Sequence, residues 1–183
     1  MASIKIFRLD YGLLVDTGLL RLTFAPGEGE QTTFRVEGSA ITVSFPKNFS
    51  FDGPRCQEWA NNVLQTMLRR RAKDVLPARL AAFARRDDMR YNRVTIKNVR
   101  SCWGSCSGYG NINLSLWLML APAPLVDYVI CHELSHLDEM NHGPRFWARL
   151  DRMLGAAGRG KALEARMKAF ARRLWASPGL PVE

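Results

Sequence analysis

Three residues within one five-residue stretch have side chains that could do chemistry together: His132, Glu133 and His136. On an α-helix, residues four apart lie one turn apart and only about 40° from alignment, so both imidazoles can reach one ion. Glu133 points about 100° away from His132, a poor direction for a ligand but a good one for a carboxylate beside a metal-bound water. The spacing predicts a pair of metal ligands with an acidic residue next to them.

His142 is the candidate for a third ligand, because catalytic zinc usually takes three protein ligands and leaves one position for water. A helix that continued through residue 142 would turn this side chain about 240° away from His136. We therefore expect the helix to end near Met140. Asn141 tolerates the left-handed conformation, and the following Gly143-Pro144 pair can open a new helix.

The composition around these residues favours a metal site. The chain has only three histidines in 183 residues, and residues 101–144 carry four acidic side chains but no Lys or Arg. A bound cation would meet no positive side chain within this segment. We therefore predict one zinc ion per chain, with the ligands His132, His136 and His142, and with Glu133 as the catalytic residue.

Two other interpretations of these residues remain open. Two histidines and a glutamate can occur on a helix by chance and be satisfied by hydrogen bonds. Cys102 and Cys106 could also form a Cys2His2 zinc set with His132 and His136. That set would place 25 residues between its cysteine and histidine pairs, against about twelve in a zinc finger, and it would give Glu133 no role.

The elements that position the site alternate between two periodicities. Short β-branched or aromatic runs punctuated by glycines predict an N-terminal antiparallel sheet with strands Ile4 to Ile6, Leu19 to Phe24, Thr33 to Val36 and Ile41 to Phe45. Helical spacing begins at Pro54 and runs toward Val75, and Pro77 predicts a kink or a second helix. Alternation at Val94 and Ile96, and again over residues 112–116, predicts two strands with one buried face each. Helices are predicted from Pro124 through the first two histidines, over 144–154 and over 161–175.

Length and composition indicate a folded protein, since 47% of the residues are hydrophobic and 10% are aromatic. The mixture of strand and helix patterns predicts the α+β class. We expect a β-rich subdomain over residues 1–50 and a helix-and-sheet domain over 51–183. The alternative is that both form one continuous domain. No signal-peptide pattern opens the sequence, and prolines interrupt its most apolar segment. We expect a cytosolic protein without a membrane contact or a disulfide.

The net charge of +9 is unevenly distributed. Residues 69–100 carry eleven basic and three acidic side chains, and residues 145–173 carry nine and two. These flanks could attract nucleic acid, or they could simply solvate exposed helix faces.

Three linked motifs resemble the YgjP-like metallopeptidase family, a group of H-E-x-x-H zincins related to SprT-like proteases. They are VRSCWGSCSGYGNINLS (99–115), APAPLVDYVICHELSHL (121–137) and MNHGPRFW (140–147). The resemblance implies a zincin-like core in which the active-site helix packs beside a mixed or antiparallel sheet. It also implies zinc ligation by the three histidines, catalysis by Glu133 and a sheet edge that pairs with an extended peptide.

The function predicted from these observations is hydrolysis of a protein or peptide substrate, in which Glu133 takes a proton from the zinc-bound water. Candidates for stabilising the oxyanion or contacting substrate are Tyr128, Tyr109, Arg100 and Trp103, with zinc itself as a further oxyanion stabiliser. Trp103 could equally be a packing residue. The alternative is a nucleic-acid-associated binding protein with a structural zinc site.

Overall fold

The computed structural model describes residues 7–180, which form an α+β fold of two small sheets and four α-helices. The strands are β1 (Leu14–Asp16), β2 (Arg21–Pro26), β3 (Thr33–Glu37), β4 (Ala40–Phe45), β5 (Arg93–Lys97), β6 (Gly104–Cys106) and β7 (Asn111–Ser115). The helices are α1 (Pro54–Arg86), α2 (Ala123–Ser135), α3 (Pro144–Leu154) and α4 (Arg159–Ala176), with a short 3-10 helix at Leu116–Leu120. The predicted α+β class is confirmed. The predicted strand Ile4 to Ile6 lies outside the described residues.

The N-terminal sheet has the strand order β1-β2-β4-β3 and is mixed, which corrects the antiparallel prediction. β2 and β4 run parallel, whereas the β1–β2 and β3–β4 pairs are antiparallel. The parallel pairing arises because the two strands of the β3–β4 hairpin differ in how much apolar surface they bury. β4 buries Ile41, Val43 and Phe45, while every residue of β3 is exposed. The more apolar strand therefore takes the position beside β2, and β3 becomes an edge.

Helix α1 is a single element of 33 residues that contains Pro77, so the expected second helix is absent from this part of the chain. Proline removes one backbone donor, but buried side chains on both sides hold the helix against the core. Leu76 and Leu80 are both fully buried. Arg79, between them, forms an ion pair with Asp127 of α2.

The second sheet, β5-β7-β6, lies beside α2. Val94 pairs with Ile112 and Ile96 with Leu114, so the apolar positions predicted for the two strands are adjacent in the parallel β5–β7 register. β6 pairs antiparallel with β7 and is an edge strand. β6 lies within the WGSC run, where the family resemblance implied a strand beside the active-site helix that offers a sheet edge; three residues are too few to leave a detectable period of their own.

Residues from both halves of the chain join one cluster of buried side chains, which extends from Phe7 to Leu180. α2 is central to it and buries nine of its 13 residues. The division at residue 50 stays a prediction. The four cysteines are free, and no helix within residues 7–180 is long and apolar enough to cross a membrane.

The first described residues are held on α1 by two side-chain amides. Asn61 accepts a hydrogen bond from the Phe7 amide at 2.9 Å and donates one to the Phe7 carbonyl at 2.7 Å. Gln57, one turn earlier, makes the same pair of bonds with Leu9. The two amides thus act as the partner strand of the segment.

We expect Asn61→Ala to lower the free energy of unfolding by about 1–3 kcal/mol, because Phe7 would keep two polar backbone groups without these partners in the interior. Urea titration followed by circular dichroism measures the change. The neighbouring Asn62→Ala is the control, since Asn62 is exposed, and it should alter stability by less than about 0.5 kcal/mol. Equal losses in both variants would contradict the role of the amide pair.

Candidate active site

The structure brings the three histidines together at the end of α2. Their Nε2 atoms lie 3.2 Å (His132 to His136), 3.1 Å (His132 to His142) and 3.2 Å (His136 to His142) apart. Three nitrogens that each bind one tetrahedral zinc at about 2.05 Å would be about 3.3 Å from one another. The donor set therefore fits zinc in both chemistry and spacing.

The hydrogen bond of His136 determines which of its nitrogens can bind a metal. Its Nδ1 lies 3.1 Å from the carbonyl oxygen of Glu139. A carbonyl oxygen only accepts, so Nδ1 carries the proton and Nε2 presents its lone pair to the other histidines. On His132, Nδ1 lies 3.4 Å from the Tyr128 hydroxyl, which can accept from Nδ1 in the corresponding tautomer.

Burial favours the neutral form of two of the three histidines. It lowers the pKa of His132 to about 4, with further contributions from His136 and His142, and it also lowers the pKa of His136. Neutral imidazoles are the form that binds metal. Ring nitrogens that direct their lone pairs at one point repel each other, and a cation at that point would remove the repulsion.

The chain returns to bring in His142 by a route that differs from the expected one. α2 ends at Ser135, five residues before Met140, and a turn continues through Asp138. Among residues 7–180 the only non-glycine with positive φ is Asp88, so Asn141 is not left-handed, and Gly143 is extended at φ −78°. α3 does begin at Pro144, as predicted.

Two aromatic residues of α3 support the histidines. Phe146 is fully buried, and its ring centroid lies 4.6–4.9 Å from all three imidazoles. The indole N–H of Trp147 donates to the His142 carbonyl at 3.2 Å. The first residues of α3 thus form the floor of the cluster and fix the backbone of its third member.

Glu133 is buried beside the histidines, with only 5% of its surface exposed. Burial raises the pKa of its carboxyl to about 8. The edge strand β6 lies directly against it: a Cβ atom added to Gly104 would be 2.6 Å from Oε1 and 2.7 Å from Cγ of Glu133. Only glycine at position 104 leaves room for this carboxylate.

Comparison with known families matches residues 25–164 to the YgjP-like metallopeptidase domain. That segment is most of the chain and contains every residue of the histidine cluster. The chain belongs to the YgjP-like metallopeptidase family. The resemblance stated from the three motifs is confirmed, and the protein is a metal-dependent peptidase.

Two solved structures are similar to the chain over about half its length. The metallopeptidase zymogen abylysin of Pyrococcus abyssi is 21% identical, with a TM-score of 0.47 over 52% of this chain and 93% of that one. The zymogen jannalysin of Methanocaldococcus jannaschii is 18% identical, with a TM-score of 0.45 over 51% and 94%. No match was found among curated proteins.

The cysteines of this YgjP-like chain stand apart from the metal-ligand cluster. Within the described residues, the group of side chains that could hold a metal consists of the three histidines and neither Cys102 nor Cys106. Cys106 contacts the Ser107 carbonyl at 3.5 Å. Burial, and then the charge of Glu133, raises the pKa of its thiol, which disfavours the thiolate that zinc needs.

Of the four residues expected near the substrate, two lie beside the histidines and two lie elsewhere. Tyr128 and Trp103 line the cavity that adjoins His132 and Glu133. Arg100 instead lies over aromatic rings, with its guanidinium 4.5 Å from the centre of the Trp117 ring. Tyr109 is 88% exposed and lines another cavity.

Several residues help to form the site in ways that no spacing or motif in the sequence predicts. Glu139 acts through its backbone carbonyl, Gly104 through the absence of a side chain, and α4 through residues some 30 positions after the histidines. Asp127 and Asp138, the acidic residues nearest the histidine pair in the sequence apart from Glu133 and Glu139, form ion pairs with Arg79 and Arg149.

We expect Gly104→Ala to reduce peptidase activity by on the order of 100-fold, because the new methyl group would displace the Glu133 carboxylate by about an ångström. Zinc content should not change, since position 104 has no contact with the ligand nitrogens among those described. Steady-state kinetics and atomic emission on the same samples measure both quantities. Gly108→Ala is the control, because a Cβ there meets nothing within 4 Å. Wild-type activity in Gly104→Ala would contradict the proposed contact.

Proposed function

We propose that this YgjP-like chain hydrolyses peptide bonds in protein or peptide substrates, with one zinc ion held by His132, His136 and His142 and with Glu133 as general base. The observation that carries the proposal is the approach of three ring nitrogens to within 3.2 Å beside a buried carboxylate. Zinc bound there would lower the pKa of a water, polarise the scissile carbonyl and stabilise the oxyanion.

Glu133 accepts the proton of the attacking water and transfers it to the leaving amine. Burial raises the pKa of this carboxyl toward the operating pH, where a general base is most effective. Gly104 holds the carboxylate in place from the side of β6.

Tyr128 acts through His132. Its hydroxyl lies near Nδ1, the nitrogen on the side of the ring away from the other two histidines. Burial, aided by Glu164 and Glu133, raises the pKa of the phenol, so the hydroxyl stays protonated and uncharged. In the proposed site the Tyr128 hydroxyl therefore accepts a hydrogen bond from Nδ1 of His132 and orients this ligand.

The edge strand β6 is suited to bind the substrate backbone. Trp103 accepts a hydrogen bond from the Ser115 amide, and the Ser107 amide donates to Asn111. In an antiparallel pair the residues between these, Gly104 and Cys106, direct their N–H and C=O groups away from β7. An extended peptide could pair with those groups next to Glu133, with affinity that depends little on its sequence.

Nucleic-acid binding by residues 69–100 and 145–173 remains a second prediction, but many of these basic side chains have internal partners. Arg71 donates to the Leu19 carbonyl, and Arg86 pairs with Asp87. Arg145 and Lys168 pair with acidic residues as well. These contacts support the solvated-face interpretation of the charge. A cytosolic location also stays a prediction.

Glu133→Gln should keep the zinc and lose about 10²–10⁴-fold in activity, because an amide of the same shape cannot accept the proton. Cleavage of an unstructured protein and atomic emission on the purified variant measure the two effects. A variant that cleaves as fast as the wild type would contradict the role of Glu133. If the wild type holds zinc and cleaves nothing, the result would favour the alternative of a binding protein with a structural zinc site. Zinc-independent binding of nucleic acid that falls steeply with salt would then support it.

His142→Ala should lose most of its zinc during dialysis, because only two of the three ligands remain. Cys102→Ala is the matched control and should retain the full zinc content. Atomic emission gives the metal-to-protein ratio of both. Retention in His142→Ala combined with loss in Cys102→Ala would support the cysteine-containing site instead.

A further inference from the structure

A cavity of about 290 Å³ opens beside Glu133 and His132. α2 contributes one wall with Val129, the segment before β6 contributes Trp103, and α4 contributes Met167 and Ala171. The cavity is therefore lined on one side by the proposed site residues His132 and Glu133 and on the other by α4, which has no proposed catalytic residue.

Apolar side chains form much of the cavity lining, together with the site residues His132 and Glu133 and a pair of charged residues on α4. Val129 and Met167 are only 3% exposed. The two charged residues on α4, Glu164 and Lys168, form an ion pair at 2.8 Å with side chains 34% and 63% exposed. Each therefore offsets the charge of the other, and the cavity presents no net charge from α4 to a ligand.

Trp103 is held in place as a wall of the cavity. Its ring stacks on Trp175 at 6.2 Å and contacts Phe170 at 5.9 Å. Both of these residues belong to α4. Packing against α4 thus fixes the indole, so this part of the wall exists before a ligand binds, which lowers the entropic cost of binding.

Three of the lining residues, Met167, Lys168 and Ala171, lie beyond residue 164, where the match to the family ends. The histidines and Glu133 lie inside the match. The catalytic half of the cavity is thus shared with the family, whereas the far wall is formed by a segment outside the matched part.

We propose that this cavity binds an apolar substrate side chain next to the scissile bond, so that the protein cleaves beside leucine, methionine or phenylalanine. The inference rests on the proposed peptidase function, because it places the cavity relative to the reacting bond. A hydrophobic pocket discriminates by about 10- to 200-fold for each missing apolar group. Peptides with alanine or a charged residue at that position should be cleaved at least ten times more slowly.

The first experiment compares cleavage of blocked pentapeptides that differ only at one position, which is leucine, phenylalanine, alanine, glutamate or lysine. Ala171→Phe fills the cavity and should shift the preference from leucine to alanine, with kcat/KM for the leucine peptide lowered at least tenfold. Ala169→Phe is the matched control, since Ala169 is exposed on the same helix and outside the cavity. It should cleave like the wild type. Equal rates for all five peptides, or an unchanged preference in Ala171→Phe, would overturn the inference.

The second experiment separates the cavity from catalysis. Zinc-loaded Glu133→Gln is titrated with the same peptides, and calorimetry gives their dissociation constants. We expect the leucine peptide to bind at least tenfold more tightly than the alanine peptide, and this difference to vanish when Ala171→Phe is added. That result would support the cavity even if the wild type cleaved no peptide, in which case only the peptidase proposal would fail. Equal affinities would overturn the cavity inference, whatever the cleavage result.

Discussion

The approach of three imidazole nitrogens to within 3.2 Å is the constraint on which the rest of this structure depends. Such an arrangement is unfavourable for the polypeptide alone, since the lone pairs of the ring nitrogens repel each other. It persists because the surroundings determine each ring separately. His136 is tied to the Glu139 carbonyl, and the backbone of His142 is tied to Trp147. The side chain of Phe146 fills the space beneath all three.

The position of Glu133 depends on a different part of the fold. The carboxylate is confined by the backbone of β6, which is held by pairing with β7 and lies beside α2. The proposed metal ligands and the proposed base are therefore positioned by different parts of the fold. The turn after α2 and the start of α3 position the histidines, and the small sheet positions Glu133. This separation explains why a change at Gly104 can affect the base without affecting the metal.

A chain of aromatic contacts links Phe7 to the proposed substrate cavity. Phe7, held on α1 by Asn61, stacks on Trp175 at 5.9 Å, and Trp175 in turn stacks on Trp103. Beside Phe7, the Arg8 amide donates a hydrogen bond to the Pro178 carbonyl at 2.7 Å. Residues far apart in the sequence thus contribute to the stability of the wall that α4 provides.

The sequence by itself predicted the cluster of three histidines and most of the elements, because these depend on local spacing. Residues four apart on a helix must share a face, and the alternation at Ile112 and Leu114 marks the buried side of β7. In β5 the predicted buried face is not distinct, since Thr95 is as partly buried as Val94 and Ile96. The sequence predicted the end of α2 in the wrong place, since hydrogen bonds of the turn ended the helix before any helix-breaking residue.

Only the tertiary structure decided the contacts between residues far apart in the chain. The parallel pairing of β2 with β4, the fit of Gly104 against Glu133 and the wall that α4 forms join segments separated by about 20 to 40 positions. No local periodicity encodes such contacts, because each results from the competition of whole elements for burial in one shared core.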